Sequence, residues 1–213
     1  MAVLYPVMIR LEGQPCLVVG GGQVAERKVR SLLAAGAKVS IISPELTPWL
    51  QEVVRKGLAD YIPRRYREGD VRGHFLVISA TNDPATNGQV ARECARERVL
   101  VNAVDDPANC NFYVPATVRR GDLILAVSTA GKSPLLARKI REELESLYGN
   151  VYADFLDYLG AKRAEIIRES PDNETKAGLL ESCLSDEVMS ALRRGDLDRA
   201  KEWVDSVTCG SRS

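Results

Sequence analysis

The sequence predicts an α/β protein: a doubly wound parallel sheet, then a small α+β segment, then a C-terminal helical domain. Three observations carry that prediction. Between residues 14 and 103, short apolar runs alternate with stretches of helical periodicity, the mark of parallel strands joined by helical crossovers. Past residue 110 the alternation stops, and two β-like runs follow each other closely. From Val151 onward only helical periodicity remains. The domain boundaries follow at 1–112, 113–148 and 149–213.

Taken in order, residues 14–20 form the first strand and 23–35 the first helix. Val24, Val29, Leu32 and Leu33 make that helix's apolar stripe, and Gly36 supplies its stop. Residues 38–42 (Lys-Val-Ser-Ile-Ile) are the second strand. A helix over 46–55 tolerates Pro48 in its first turn. Residues 60–62 are a short third strand and 75–80 a fourth. Asp83 is the expected N-cap of the next helix, with Pro84 at its first position and its end near residue 98. Residues 99–103 are the fifth strand. The runs 112–118 and 123–128, joined by Arg119-Arg120-Gly121-Asp122, fit a hairpin or a pair of edge strands. Ser133 caps a helix over 135–147. Gly149-Asn150, Ser170-Pro171-Asp172-Asn173 and Gly195-Asp196 break the helical tail, and 208–213 are expected to fray.

Where the first strand meets the first helix stand Gly20-Gly21-Gly22-Gln23-Val24-Ala25. Gly20-x-Gly22-x-x-Ala25 fits the G-x-G-x-x-G/A fingerprint of Rossmann-type dinucleotide binding, in the context that fingerprint requires. Gly20 permits the sharp turn, Gly22 lets the backbone approach a diphosphate, and Ala25 lets the helix pack close to the strand. The helix N-terminus offers unpaired N–H groups and partial positive charge. The alternative for such a pattern alone is a tight strand-to-helix turn. Ligands of these sheets lie at the carboxyl ends of the strands. Here that edge comprises the glycine turn, Ser43-Pro44, Thr81-Asn82 and Val104-Asp105-Asp106. The place of the usual ribose-binding acid is taken by Ser43 and Pro44, with Glu45 one step later. No Arg or Lys follows at once to neutralise a 2′-phosphate, so NAD is favoured over NADP.

Composition narrows the partners. In 213 residues, 29 Lys and Arg balance 29 Asp and Glu, so no overall field draws the chain to nucleic acid or to a membrane. No apolar run approaches the ~20 residues of a spanning helix. The start of the chain carries no basic, cleavable leader pattern. The five cysteines, Cys16, Cys94, Cys110, Cys183 and Cys209, are scattered with no C-x-x-C pair. Free thiols in a reducing cytoplasm are the expectation, and neither a metal site nor a disulfide framework is suggested.

Asp105 and Asp106 follow the fifth strand, where a side chain faces a nicotinamide ring across the cleft. Asp106-Pro107 also reads as a plain turn that either aspartate could cap. Asp105, nearest the strand, is the candidate base. Further on, Arg119, Arg120, Lys132, Arg138, Lys139 and Arg141 form the densest basic region. Within it, Ser128-Thr129-Ala130-Gly131-Lys132-Ser133 leads into a helix N-terminus and makes a candidate anion site. Ser128, Thr129, Lys132 and Arg138 are its candidate contacts with a polycarboxylate, though solvent-facing cations are the plainer reading of each. Tyr158-x-x-x-Lys162, with Ser146 upstream, matches the reactive pair of short-chain dehydrogenases, but that family's glycine spacing is absent and coincidence is the reading adopted. His74, the single histidine, begins a strand at the amino edge and is assigned a structural role.

Four segments now agree in order and spacing with one family. They are Gly20 to Lys28, Ser79-Ala80-Thr81-Asn82-Asp83, Val101-Asn102-Ala103-Val104-Asp105, and Ala126 to Arg138. Together they resemble the precorrin-2 dehydrogenase / sirohydrochlorin ferrochelatase family, the N-terminal module of siroheme synthase, over about residues 4–145. The resemblance implies NAD-dependent oxidation of precorrin-2 to sirohydrochlorin, and in some members insertion of iron or cobalt. It implies a homodimer built through the segment after the Rossmann domain. It places Gln23-Val24 and Pro44-Glu45 on NAD, and Asp105 as the catalytic aspartate. The substrate's eight carboxylates account for a local basic region in a neutral chain. Two other readings stay open from the sequence: a dehydrogenase of another polyanion, and a Rossmann domain that senses NAD without chemistry.

Overall fold

The structure, a computed structural model, describes residues 4–170 and 172–209. It divides into two compact units, the first ending at Val114 and the second beginning at Pro115.

The first unit alternates β1 (Pro15–Val19), α1 (Gln23–Ala34), β2 (Lys38–Ile42), α2 (Pro48–Arg55), β3 (Ala59–Ile62), β4 (Leu76–Ser79), α3 (Pro84–Glu97) and β5 (Leu100–Ala103). The strands make one parallel sheet in the order β3-β2-β1-β4-β5. Strand order therefore reverses between β1 and β4, which opens a crevice at the carboxyl edge. Register brings those ends level, with Val19 opposite Ile42 and Ser79, and Ser79 opposite Ala103. Alternation along each strand feeds two cores. Cys16, Val18, Ile41 and Ile78 pack with Val29 of α1 and Leu50 of α2 on one face. Leu17, Val19, Val77 and Val101 pack with Val90 and Cys94 of α3 on the other. Burial on both faces explains why these strands read as continuous apolar runs.

Local chemistry sets the boundaries. The helix expected from residue 46 begins at Pro48, because the Thr47 hydroxyl accepts from the Leu50 amide (3.3 Å) and makes Thr47 the cap. Asp83 caps α3 through the Ala85 amide (3.0 Å), with Pro84 first in the helix. Between β3 and β4 the chain makes a non-repetitive link. The Arg64 guanidinium donates to both oxygens of Asp70 (2.7 Å each), and the Arg67 amide donates to the same carboxylate (2.7 Å). The carboxylate of Glu93, 1% exposed, accepts from the Gly69 amide (2.6 Å) and from the Tyr66 hydroxyl. The link is thus fastened to α3.

The second unit opens with the antiparallel pair β6 (Ala116–Arg120) and β7 (Leu123–Val127), in register Ala116↔Val127. The run expected over 112–118 is corrected here: 112–115 lie outside the strand. The Asn102 side chain donates to the Phe112 carbonyl (3.1 Å), the Asn111 amide donates to the Val101 carbonyl (3.0 Å), and Pro115 has no amide to donate. The turn is also tighter than expected, Gly121-Asp122 alone, with Arg119 and Arg120 in the strand. Ser133 caps α4 (Pro134–Leu147) through the Leu136 amide (3.2 Å).

Then follow α5 (Val151–Glu169), α6 (Asn173–Ser182), α7 (Asp186–Arg193) and α8 (Leu197–Cys209) around Phe155, Cys183, Val188, Leu192 and Val204. The fraying expected from Thr208 does not begin there, since Thr208 is still helical and its hydroxyl donates to the Val204 carbonyl (2.9 Å). Residues 210–213 lie outside the described residues. Tyr158 and Lys162 both hold Asp205, at 2.6 and 2.7 Å, and so tie α5 to α8.

Candidate dinucleotide cleft

At the carboxyl edge of the parallel sheet lies a cleft of about 690 Å³, within the range of small-molecule sites. Its floor is the glycine turn. Gly20 has φ +125°, and a Cβ there would stand 2.3 Å from the Ala80 carbonyl oxygen, so β1 and β4 can meet only over a glycine. Gly21 is just as confined, because a Cβ would stand 1.9 Å from the Glu45 carbonyl oxygen. Gly22 is different. Its φ is −83° and no protein atom lies within 4 Å of a Cβ built there. The fold itself does not demand a glycine at 22; a ligand resting on that backbone would. Ala25, fully buried, lets α1 approach the sheet.

Unlike α2 and α3, α1 has no side chain bonded at its cap. Its first amides therefore face the cleft beside Gln23 and Val24, which also line it, and they suit the charge of a diphosphate.

The β2 side of the cleft presents Ser43 and Pro44. Ser43 is buried and its hydroxyl donates to the Glu45 carbonyl (2.7 Å), so this serine shapes the loop rather than offering a side-chain bond. Glu45 is exposed and is not among the lining residues. On the β4 side stand Thr81 and Asn82. The buried Asn87 anchors that corner: its carbonyl oxygen accepts from the Ser79 and Thr81 hydroxyls (2.7 Å each), and its amide donates to the Thr81 carbonyl (3.2 Å).

Asp105 closes the β5 end. It is exposed, lines the cleft, and sits at φ +59°, a left-handed conformation that Asp tolerates better than most residues. Asp106 takes up the turn bonding, accepting from the Asn109 side chain (2.7 Å). The Asp105 carboxylate makes no hydrogen bond or ion pair among the described residues. Lys28, half-buried on α1, stands within electrostatic reach: burial and then Arg27 lower its ammonium pKa, while Asp105 and Cys110 oppose that shift.

Sequence reasoning missed Arg65, Tyr66 and Thr86, all on the cleft wall. Arg65 and Tyr66 belong to the β3–β4 link, which has no periodicity to place it. Only the basic and aromatic run Arg64-Arg65-Tyr66-Arg67 could have drawn attention there.

Ser128, Thr129, Lys132 and Arg138 belong to the second unit, around the β7–α4 turn. The Ser128 hydroxyl accepts from the Ala130 amide (3.2 Å), and the Thr129 hydroxyl bonds both the amide and the carbonyl of Ser133 (3.1 and 3.0 Å). Arg138 pairs with Glu142 (2.8 Å) and Arg141 with Glu145. Lys132 is exposed and has no ion pair among the described residues. The basic region is therefore partly neutralised from within.

A parallel sheet with its order reversal, a glycine turn and an uncapped helix start together define a dinucleotide-binding Rossmann protein. A family model described as NAD(P)-binding matches residues 7–116, and a second, described as sirohaem biosynthesis protein central, matches residues 120–147. The chain is 36% identical over 203 residues to siroheme synthase of Thioalkalivibrio sulfidiphilus, covering 95% of this chain and 42% of that one. It is 38% identical over 200 residues to siroheme synthase 1 of Aeromonas hydrophila, covering 93% and 43%. It thus spans about two fifths of the length of these curated relatives. Among solved structures, SirC, a precorrin-2 dehydrogenase, matches with TM-score 0.77 and 31% identity over 96% of this chain and 99% of that one. The chain belongs to the precorrin-2 dehydrogenase family, whose module also forms part of siroheme synthases.

Proposed function

We propose that the protein oxidises precorrin-2 to sirohydrochlorin with NAD as the hydride acceptor, a step in siroheme biosynthesis. The observation that carries this reading is the unpaired carboxylate of Asp105 at the β5 end of a cleft whose other wall suits a dinucleotide. Bound NAD supplies the electrophilic carbon that takes a hydride. The chain's residues do the rest. The α1 amides and the Gly22 backbone hold the diphosphate, and Ser43, Pro44, Thr81 and Asn82 bound the cleft on either side. Loss of a hydride leaves a proton to be removed from the macrocycle, and the Asp105 carboxylate receives it at an exposed position from which it passes to water. Ser128, Thr129, Lys132 and Arg138 are the proposed contacts for the substrate's carboxylates, with Lys132 the cation most available.

Metal insertion is the second proposed activity, with iron or cobalt as substrate. Asp105 is again the base at hand, for the two pyrrole protons. We also propose a homodimer through the β6–β7–α4 segment, where Leu135 and Leu136 are 64% and 50% exposed, and an edge pair otherwise open to solvent would gain a partner. A reducing cytoplasm is the proposed setting, in keeping with Cys16, Cys94, Cys110 and Cys183, all free thiols. No described helix is long and apolar enough to cross a membrane.

Purified protein with precorrin-2 and NAD should yield NADH together with the sirohydrochlorin spectrum; no NADH sinks the reading. Supplied sirohydrochlorin and Fe²⁺ or Co²⁺ without NAD test chelation alone. Sedimentation of Leu136→Lys against wild type tests the dimer: it should shift toward monomer, and an unchanged dimer would place the interface elsewhere.

A further inference from the structure

We propose that Arg65 is the adenosine-side cation of the cleft and that, by reaching a 2′-phosphate, it lets the protein bind NADP as well as NAD. The inference rests on the reading that Asp105 marks the nicotinamide end. With Asp105 beyond β5 and the diphosphate at the start of α1, the adenosine half must lie toward β2 and β3. That end of the cleft is lined by Ser43, Pro44, Arg65 and Tyr66.

Two features there are unlike an NAD-selective wall. NAD selectivity commonly rests on a carboxylate after the second strand, which binds the ribose hydroxyls and repels a 2′-phosphate. Here Ser43 spends its hydroxyl on the Glu45 carbonyl, and Glu45 is not on the cleft wall. In its place the wall presents a guanidinium.

The neighbours of Arg65 are both fixed. Arg64 is consumed by its two-point bond to Asp70, and Tyr66 is anchored on the buried Glu93. Between them Arg65 is exposed, lines the cleft, and makes no side-chain hydrogen bond or ion pair among the described residues. Its field also reaches the far wall: the Asp83 carboxyl is held below its usual range mainly by the Thr86 hydroxyl and the Ala85 amide, with a contribution from Arg65. An unpaired, planar, five-donor cation on an otherwise uncharged adenosine wall suits a phosphate monoester better than a ribose diol.

Titration calorimetry of the full chain with NAD and with NADP separately tests this. Wild type should bind both. Arg65→Ala should weaken NADP about tenfold or more, as expected for one lost charge-assisted bond, while NAD changes less than about threefold. Arg65→Lys should fall between wild type and Arg65→Ala for NADP, and circular dichroism should show all three folded, since the side chain supports no internal bond. Equal loss of both nucleotides, or no NADP binding by wild type, overturns the assignment. If NAD fails to bind wild type while NADP binds through Arg65, the proposed NAD-dependent reaction and the dual binding fall, and the assignment of Arg65 to a 2′-phosphate stands. Binding of neither removes both.

Discussion

Replacing Gly22 by Asp separates what the fold requires from what the ligand requires. A Cβ at this position meets no protein atom within 4 Å, and the backbone there is extended, with φ −83° and ψ −173°. Asp is a good N-cap and Gly a tolerable one, so stability should change by no more than about 0.5 kcal/mol. The ligand experiences the opposite. A carboxylate at the start of α1 would face the diphosphate at roughly 4 Å, where like charges cost about 1 kcal/mol in water and about 4 kcal/mol at an effective dielectric of ~20. That corresponds to roughly fivefold to a thousandfold weaker binding, before any steric exclusion. Calorimetry with NAD and a thermal melt give both numbers. The expected result is a near-native melting temperature with NAD binding lost. Gly20→Ala is the counter-case: its φ of +125° and the 2.3 Å approach to the Ala80 carbonyl oxygen should destabilise the fold by at least ~1–3 kcal/mol. A Gly22→Asp protein that melts like wild type and still binds NAD unchanged would refute the assignment of the diphosphate to this turn.

Three further outcomes are expected. Asp105→Asn keeps a residue suited to φ +59° but removes the proposed base, so turnover of precorrin-2 should drop by about 10²–10⁴ with NAD affinity retained; turnover near wild type removes Asp105 from the mechanism. Tyr66→Phe takes one of two hydrogen bonds from the buried Glu93 carboxylate and should cost about 1–3 kcal/mol, read as a melting temperature lower by about 2–4 °C per kcal/mol; an unchanged melt would mean the link is not held there. Burial raises the Asp70 carboxyl pKa, but its bonds to Arg64 and the Arg67 amide outweigh burial and hold it below the usual range. A depressed carboxyl stabilises the fold above its unfolded pKa, about 4 for Asp, and that stability is lost as pH falls through the lower folded value. Melting of wild type should therefore be more acid-sensitive below about pH 4 than melting of Asp70→Asn, and parallel pH profiles would contradict this.

Where the sequence was legible, periodicity and punctuation agreed. Lys38–Ile42 was read to the residue because β-branched residues run between the Gly36 stop and Pro44. Asp83-Pro84 and Ser133-Pro134 declared their helix starts because the cap and the proline act locally. At α2 the apolar pattern already begins at Leu46, two residues before the helix, because the Thr47 cap decides the boundary. The run 112–118 differs for another reason: apolar content cannot reveal that the Asn111 amide and the Phe112 carbonyl are already bonded to β5. The β3–β4 link is illegible because it has no periodicity and its attachment to α3 comes from Glu93, more than twenty residues away, with no local rule connecting Tyr66 to Glu93.

That hidden connection bears on the cleft as a whole. Four acids of the cleft wall, its β5 turn and the β3–β4 link have structural work: Asp70 holds Arg64, Asp83 caps α3, Glu93 holds Tyr66 and Gly69, and Asp106 closes its own turn. Two charged side chains on the wall have none, Arg65 at one end and Asp105 at the other, with the glycine turn between them. Each stands beside a partner that absorbs the structural role its own type could have filled, Arg64 beside Arg65 and Asp106 beside Asp105. The cation proposed for the adenosine end and the base proposed for the nicotinamide end are thus both left unpaired, each beside a residue of its own type that is fixed. The glycine turn alone would serve many nucleotide enzymes. On the proposed assignment, these two charges give the cleft its direction.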